Sequence, residues 1–229
     1  MEDTSALKKR MAGEKAVEFV KDGMVIGLGS GSTVYWFLKK LGGLVKQGLN
    51  IKGIPSSIRT ENWAKEFGIP LTNFSEVQRL DLAVDGADEI DPDFNLIKGG
   101  GGSLLREKVV NAHSGRLIII ADESKRVKQL GEFPLPIEVV PFGWELTADK
   151  IANLGADPVL RKENGDVFVT NNSNYILDCK FTSIPNPQEL HHELKMMLGV
   201  VETGLFIGMT DTVIVGHSDS ASVFEKKNI

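Results

Sequence analysis

The chain has a single cysteine, Cys179 in the apolar stretch YILDCKF, which excludes a disulfide within the chain and points to a reducing compartment. It has no unbroken apolar run of about 20 residues, the length that a membrane-crossing helix needs. It lacks a basic surplus, since 26 Lys and Arg stand against 31 Asp and Glu for a net charge of −5, so the chain as a whole is no nucleic-acid binder. Its 4 histidines make no metal pattern: His191 and His192 are adjacent on a helical stretch and face different ways. Met196 stands where the paired metal histidine would fall. The first residues, MEDTSALKKRMAGEKAVEFV, are patterned as an amphipathic helix and not as a signal peptide.

What is present suits a soluble globular protein: 229 residues, 41% hydrophobic and 25% charged, enough for one large or two small domains with a core. The first half alternates apolar runs with helical patterns. MVIGLG (24–29), NIKGIPSS, DLAVD (81–85) and RLIIIAD (116–122) read as strands. Between them lie TVYWFLKKLGGL, with apolar Val34, Phe37, Leu38 and Leu41, then TENWAKEFG ending at Gly68 before Pro70, and SLLREKVVNAH. Continuous apolar strands spaced by helices predict an α/β fold, a mainly parallel sheet with helices on both faces.

The pattern changes near PLPIEVVP. A strand at 136–141, a helix at 145–154, a strand at 156–161 and an Asn164-Gly165 hairpin turn come next. A strand pair within 166–181, the helix PQELHHELKMMLG with a Leu190, Leu194, Met197, Leu198 core stripe, and the strand VVETGLF complete this region. Such an order predicts a second, split βαβ α+β domain over 132–207, inserted into a domain formed by 1–131 and 208–229. The last apolar run, DTVIVGH, is expected to return to the main sheet.

Four loops carry candidate chemistry. GLGSGSTV (27–34) is a strand-to-helix turn whose bare N–H groups, at Gly31 and the helix start, would bind an anion with help from the Ser30, Ser32 and Thr33 hydroxyls. A dinucleotide fingerprint fails because Ser32 replaces its last glycine and Ser56-Ser57 replaces the ribose-binding acid; a Walker loop fails for want of Gly-Lys-Ser/Thr. Asp85 and Asp88 flank Gly86-Ala87 at the carboxyl end of a strand, where open α/β sheets bind ligands. A calcium loop beginning at Asp91 fails because Leu96 takes the glycine position and Gly102 the bidentate glutamate position. Lys98 precedes Gly99-Gly100-Gly101-Gly102, and the next helix carries Glu107. Lys125, in ADESKRV, follows a buried strand. Each feature alone has a bland explanation, such as an acidic turn, a first-turn carboxylate or a solvated lysine. Together they offer a phosphate cradle, two carboxylates, a lysine beside exposed N–H groups and an isolated glutamate. Those are the parts needed to move a proton between adjacent carbons of a sugar phosphate.

The blocks GLGSGSTV, SSIRT, VDGADEID, LIKGGGGSLLREK, ADESKRV and FPLPIEVVPFGW resemble the type A family of ribose-5-phosphate isomerases, collinearly over essentially the whole chain. The resemblance implies a Rossmann-like domain that carries the site, beside a smaller ferredoxin-like domain. It implies interconversion of ribose 5-phosphate and ribulose 5-phosphate in the pentose phosphate pathway, without metal or cofactor, by a homodimer or tetramer, and the lone cysteine leads us to expect a cytoplasmic location. Glu107 would be the base that shuttles the C1/C2 proton, Asp85 and Asp88 would bind sugar hydroxyls and assist ring opening, and Lys98 would stabilise the enediolate. Residues 30–33 and Lys125 would grip the phosphate, with Lys8 a weaker contributor, and Gly86, Ala87, Gly99, Gly100 and Gly101 would line the substrate. The family more often has Thr at the place of Ser30 and Ala at the place of Ser103. A rival from another class is a sugar-phosphate-sensing domain of a transcriptional regulator, which binds without turnover. It would need a DNA-binding segment, and the first 25 residues are too short and too weakly basic for one.

Overall fold

The computed structural model describes residues 4–226, so the first three residues of the expected N-terminal helix lie outside it. In chain order come α1 (Thr4–Ala16), β1 (Val25–Leu28), α2 (Ser32–Lys46), β2 (Lys52–Pro55), α3 (Ile58–Phe67) and β3 (Leu82–Asp85). Two short strands, β4 (Glu89–Ile90) and β5 (Leu96–Ile97), precede α4 (Leu104–Ala112), β6 (Leu117–Asp122) and a 3-10 turn at Glu123–Lys125. The chain continues through β7 (Leu135–Val139), α5 (Trp144–Ala152), β8 (Asp157–Leu160), β9 (Lys162–Glu163), β10 (Asp166–Val167) and β11 (Tyr175–Lys180). Then follow α6 (Pro187–Lys195), β12 (Val200–Thr203), β13 (Leu205–Phe206), β14 (Thr212–Gly216) and β15 (Ala221–Glu225).

Two compact units result. The first holds the chain up to Ala87, Arg106–Lys125 and the chain from Met209 onward; the second holds Asp88–Leu105 and Arg126–Gly208. Residues 88–105 and 126–131 therefore group with the second unit, where the sequence pattern had joined them to the first. The physical reason for the earlier segment is strand pairing: β5 pairs antiparallel with β13, Ile97 opposite Leu205 and Leu96 opposite Phe206.

The first unit is built on a six-stranded sheet of order β15-β14-β6-β3-β1-β2. Its pairs are parallel from β14 to β2, and only the β14–β15 pair is antiparallel. The alternation of a strand puts successive side chains on opposite faces. Ile26, Leu28, Val84, Ile118, Ile120 and Ile214 pack with Ala12 and Ala16 of α1 and with Val34, Phe37, Leu38 and Leu41 of α2. Gly27, on the other face, meets α4 so closely that a Cβ there would stand 2.5 Å from Val110 Cγ1. Helices thus cover both faces, as the apolar strands require. The buried residues of α1 are Ala12, Gly13 and Ala16, so its inward face is small-residued rather than strongly apolar. Ser57 caps α3 by accepting from Thr60 N at 3.1 Å, and Gly68 ends it at φ +77°, the left-handed geometry that favours glycine.

The second unit carries a four-stranded sheet of order β12-β7-β11-β8 with antiparallel neighbours throughout. With α5 between β7 and β8 and α6 between β11 and β12, this is the split βαβ arrangement. Leu135, Ile137, Val139, Ile151, Leu177, Cys179 and Leu194 form its core. Burial pushes the Cys179 thiol up from its ordinary pKa, and the neighbouring Asp178 charge adds to the effect. The Asn164-Gly165 turn joins β9 to β10 with φ of 53° and 93°, both positive as a type I′ turn requires.

The structure departs from the sequence pattern in three places. Residues 166–181 do not form a strand pair: β10 pairs back on β9, while β11 lies between β7 and β8. Leu198 is not core but 86% exposed, because α6 stops at Lys195 with Met196 as its C-cap and the helical period does not reach 198. VVETGLF is not one strand, since β12 joins the four-stranded sheet and β13 the small β13-β5-β4 sheet.

Candidate active site

In the first unit, the carboxyl ends of three adjacent strands, β1, β3 and β6, carry the 29–33 loop, Asp85 and the Lys125 turn. Asp85 is fully buried. Its Oδ1 accepts from Ser30 N at 3.0 Å and Gly86 N at 2.8 Å, and its Oδ2 accepts from Asn111 Nδ2 at 2.9 Å. One carboxylate thereby ties the end of β3 to the loop after β1 and to α4. Asn111 is one helical turn beyond Glu107, so the two share a face of α4, the face turned toward Asp85. Glu107 stands in the first turn of α4 and is only 4% exposed. A carboxylate so placed gains from the helix N-terminus and is shielded from water.

Gly31 caps α2 with φ +104° and no side-chain capping bond, and Ser32 is exposed with Thr33 half-buried beside it. First-turn N–H groups and hydroxyls placed in this way are able to bind an anion. Ser30 is placed differently from its neighbours. Its hydroxyl lies in a buried cluster, 3.0 Å from Ser56 Oγ, 2.9 Å from Ser57 Oγ and 3.1 Å from Thr60 Oγ1. Thr60 Oγ1 donates in turn to Gly29 O at 2.8 Å. Ser56 and Ser57, where a dinucleotide site would have its acid, therefore brace the loop from behind. Lys125 is half-buried at the end of the 3-10 turn. Lys8 bonds the Glu123 carboxylate, and His217 Nδ1 stands 3.4 Å from its other oxygen. That ammonium, by hydrogen bond and charge, holds the Glu123 carboxyl below its ordinary pKa.

The second unit holds Asp88, Lys98 and the glycine run. Asp88 N donates to Ile97 O at 2.8 Å, and Asp88 Oδ2 accepts from Gly100 N at 2.8 Å. Lys98 is 2% exposed, its N–H bonded to Gly204 O at 2.9 Å and its ammonium 5.5 Å from the Phe206 ring centroid. The Lys98 ammonium thus lies against an aromatic face, a cation–π placement inside the fold. Gly99 and Gly102 have φ of +98° and +80°, and Gly102 N closes the turn on Gly99 O at 3.0 Å. Gly100 and Gly101 are exposed, Gly86 and Ala87 half-buried.

Sequence reasoning missed Asn111, Phe206 and Arg161, whose guanidinium bonds the carbonyls of Gly99 and Gly100. The spacing from Glu107 to Asn111 was a usable signal for the first. Nothing local marks the other two. Among the described residues no group of three or more His, Cys, Asp or Glu could hold a metal ion, and no helix is long and apolar enough to cross a membrane.

A mainly parallel α/β sheet with a buried carboxylate at a strand end places the first unit in the open-sheet class, whose members bind small ligands at the carboxyl ends of the strands. The family model for ribose 5-phosphate isomerase A (phosphoriboisomerase A) matches residues 52–220. A protein of Oceanobacillus iheyensis named ribose-5-phosphate isomerase A 1 is 54% identical over 221 residues, covering 96% of this chain and 98% of its own. The ribose-5-phosphate isomerase A of Bacillus mycoides is 55% identical over 209 residues, 91% of this chain and 95% of its own. Among solved structures, a ribose 5-phosphate isomerase from Plasmodium falciparum superposes with a TM-score of 0.94 at 40% identity, covering 97% of this chain and all of its own. A D-ribose-5-phosphate isomerase in complex with phospho-erythronic acid does so with a TM-score of 0.93 at 39% identity, covering 97% and 99%. The chain belongs to the ribose 5-phosphate isomerase A family.

Proposed function

We propose that the chain interconverts D-ribose 5-phosphate and D-ribulose 5-phosphate in the pentose phosphate pathway. The observation that carries this reading is a carboxylate, Glu107, buried in the first turn of a helix, in a chain that matches named isomerases over nearly its full length. The reaction is an internal redox step: C1 is reduced as C2 is oxidised, with one proton moved between the carbons and one between their oxygens. Atoms and electrons balance without a cofactor, and no cofactor or metal is proposed.

Glu107 takes the C2 proton of the open-chain aldose and returns it to C1. Lys98 stabilises the enediolate oxygen between those steps, when negative charge has developed. Asp88, half-buried, binds sugar hydroxyls and assists ring opening together with Asp85. The donors from Ser30, Gly86 and Asn111 give Asp85 a second task, fixing the cradle loop and α4. The N–H groups at Gly31 to Thr33, the hydroxyls of Ser32 and Thr33, and Lys125 hold the phosphate. Ser30 supports them through the hydroxyl cluster and its backbone bond to Asp85. Gly86, Ala87, Gly99, Gly100 and Gly101 let the backbone approach the sugar. Lys8, engaged with Glu123, stays the weaker phosphate contributor.

We place the protein in the cytoplasm as a homodimer or tetramer, on the strength of its family and its single buried thiol. A coupled assay for ribulose 5-phosphate formed from ribose 5-phosphate tests the function. Tight binding with background turnover would replace it by the sensing-domain reading, which leaves the burial of Glu107 without a purpose.

A further inference from the structure

Arg161 directs its guanidinium at the carbonyl side of the glycine run. Nη1 donates to Gly99 O at 2.9 Å and to Gly100 O at 3.2 Å. Nε donates to Asp178 Oδ2 at 2.8 Å, and Nη2 bonds Asp178 Oδ1. The guanidinium carbon lies 5.7 Å from the Phe168 ring centroid, and Phe168 is packed so tightly under the run that a Cβ on Gly102 would stand 2.3 Å from its Cζ. The Arg161 side chain is 13% exposed, and all these groups belong to the second unit.

Gly99 O and Gly100 N are the two ends of one peptide group. That group accepts from Arg161 at its carbonyl and donates to Asp88 Oδ2 at 2.8 Å from its N–H. A peptide is planar, so its two ends turn together. Consecutive glycines impose little preference on that orientation, and here the orientation is fixed from outside the run. Charge-assisted donation to the carbonyl also polarises the peptide and strengthens what its N–H gives to the carboxylate. A lysine could not do this, because the site asks for several donors in a fixed fork.

We propose that Arg161 is a positioning residue for Asp88, acting through the Gly99–Gly100 peptide, with Asp178 holding the guanidinium in place. The inference rests on the reading of Asp88 as a sugar-hydroxyl partner. Arg161 touches no substrate; it sets the direction from which the Gly100 N–H meets the carboxylate.

The test uses the full chain labelled with nitrogen-15. Arg161→Met should speed hydrogen exchange of the Gly100 amide by about tenfold or more while leaving the buried Ile119 amide unchanged. Turnover of ribose 5-phosphate should fall on the order of ten- to a hundredfold, the scale of a misplaced group. In an Asp88→Asn background the same substitution should change turnover by less than about threefold, since the two act as one unit. A folded Arg161→Met protein with wild-type Gly100 exchange, or one whose loss is undiminished in the Asp88→Asn background, overturns the proposal. Should Arg161→Met fail to fold, Asp178→Asn loosens the same guanidinium and is read by the same two measurements. A wild-type protein without isomerase activity would sink the functional reading instead, and Gly100 exchange would then decide whether Arg161 fixes Asp88.

Discussion

Gly29 and Asp85 occupy each other's space: a Cβ on Gly29 would stand 2.2 Å from Asp85 Oδ1, closer than any bonded-in side chain could tolerate. The glycine is there for the carboxylate. Since that oxygen also receives the N–H groups of Ser30 and Gly86, the smallest enlargement at 29 must push Asp85 out of its hydrogen bonds.

Gly29→Ala is therefore expected to cost about 1–3 kcal/mol of stability as an overpacking change. It should lower turnover on the order of 10²-fold by displacing the loop and the carboxylate together. Urea unfolding and the coupled assay measure the two effects. If the clash is the cause, Asp85→Ala will harm the Gly29→Ala protein much less than it harms the wild type. Additive losses would mean that the two residues act separately.

Cys179 gives the second unit an alkaline weakness. Its thiol is buried in the core and its pKa is raised by that burial. An unfolded cysteine ionises near pH 8.5, whereas the folded one keeps its proton. Above that pH the unfolded state binds fewer protons than the native state, so stability falls as pH rises. The slope approaches about 1.4 kcal/mol per pH unit from this group. Cys179→Ala removes the term, and its cavity cost does not depend on pH. Between pH 8 and 10 the variant should lose less stability than the wild type; parallel losses would show that the thiol ionises without unfolding.

Lys125 is the side-chain cation proposed for the phosphate, in addition to the N–H groups of the α2 start. Lys125→Ala deletes one charge-assisted contact and should weaken substrate and phosphate-ester inhibitor binding by roughly 1.5–3 kcal/mol. Michaelis and inhibition constants report this directly. Values equal to wild type would move the phosphate away from the end of β6.

The sheet was legible because its strands are continuous apolar runs and its helices keep a 3.6-residue stripe. Val34, Phe37, Leu38 and Leu41 are buried as that stripe requires. The two-residue strands β4, β5 and β13 were not legible. They are too short for a period, and β5 finds its partner more than a hundred residues later. Among the candidate site residues, those in glycine-rich or acidic clusters stand out in the sequence. Arg161 did not, because its partners are backbone carbonyls about sixty residues away, and a carbonyl leaves no mark on composition. Ser30 was legible as a loop hydroxyl, but its inward direction depends on Ser57 and Thr60 on another helix.

Glu107 carries the sharpest expectation. It is buried at the start of α4, on the face that Asn111 turns toward Asp85. Glu107→Gln keeps the volume and a hydrogen-bonding group but cannot accept a proton from carbon. Removal of a positioned general base should lower turnover on the order of 10²–10⁴-fold, with little change in Michaelis constant or unfolding midpoint. Exchange of the substrate C2 hydrogen with solvent should fall in step, because isomerisation and exchange pass through the same enediolate. Running the reaction in deuterium oxide and following both signals by proton magnetic resonance separates the possibilities. If exchange persists at the wild-type rate while isomerisation stops, another group removes the proton and Glu107 serves only its return to C1. If both persist in a folded protein, Glu107 is a helix-end charge and the base lies elsewhere.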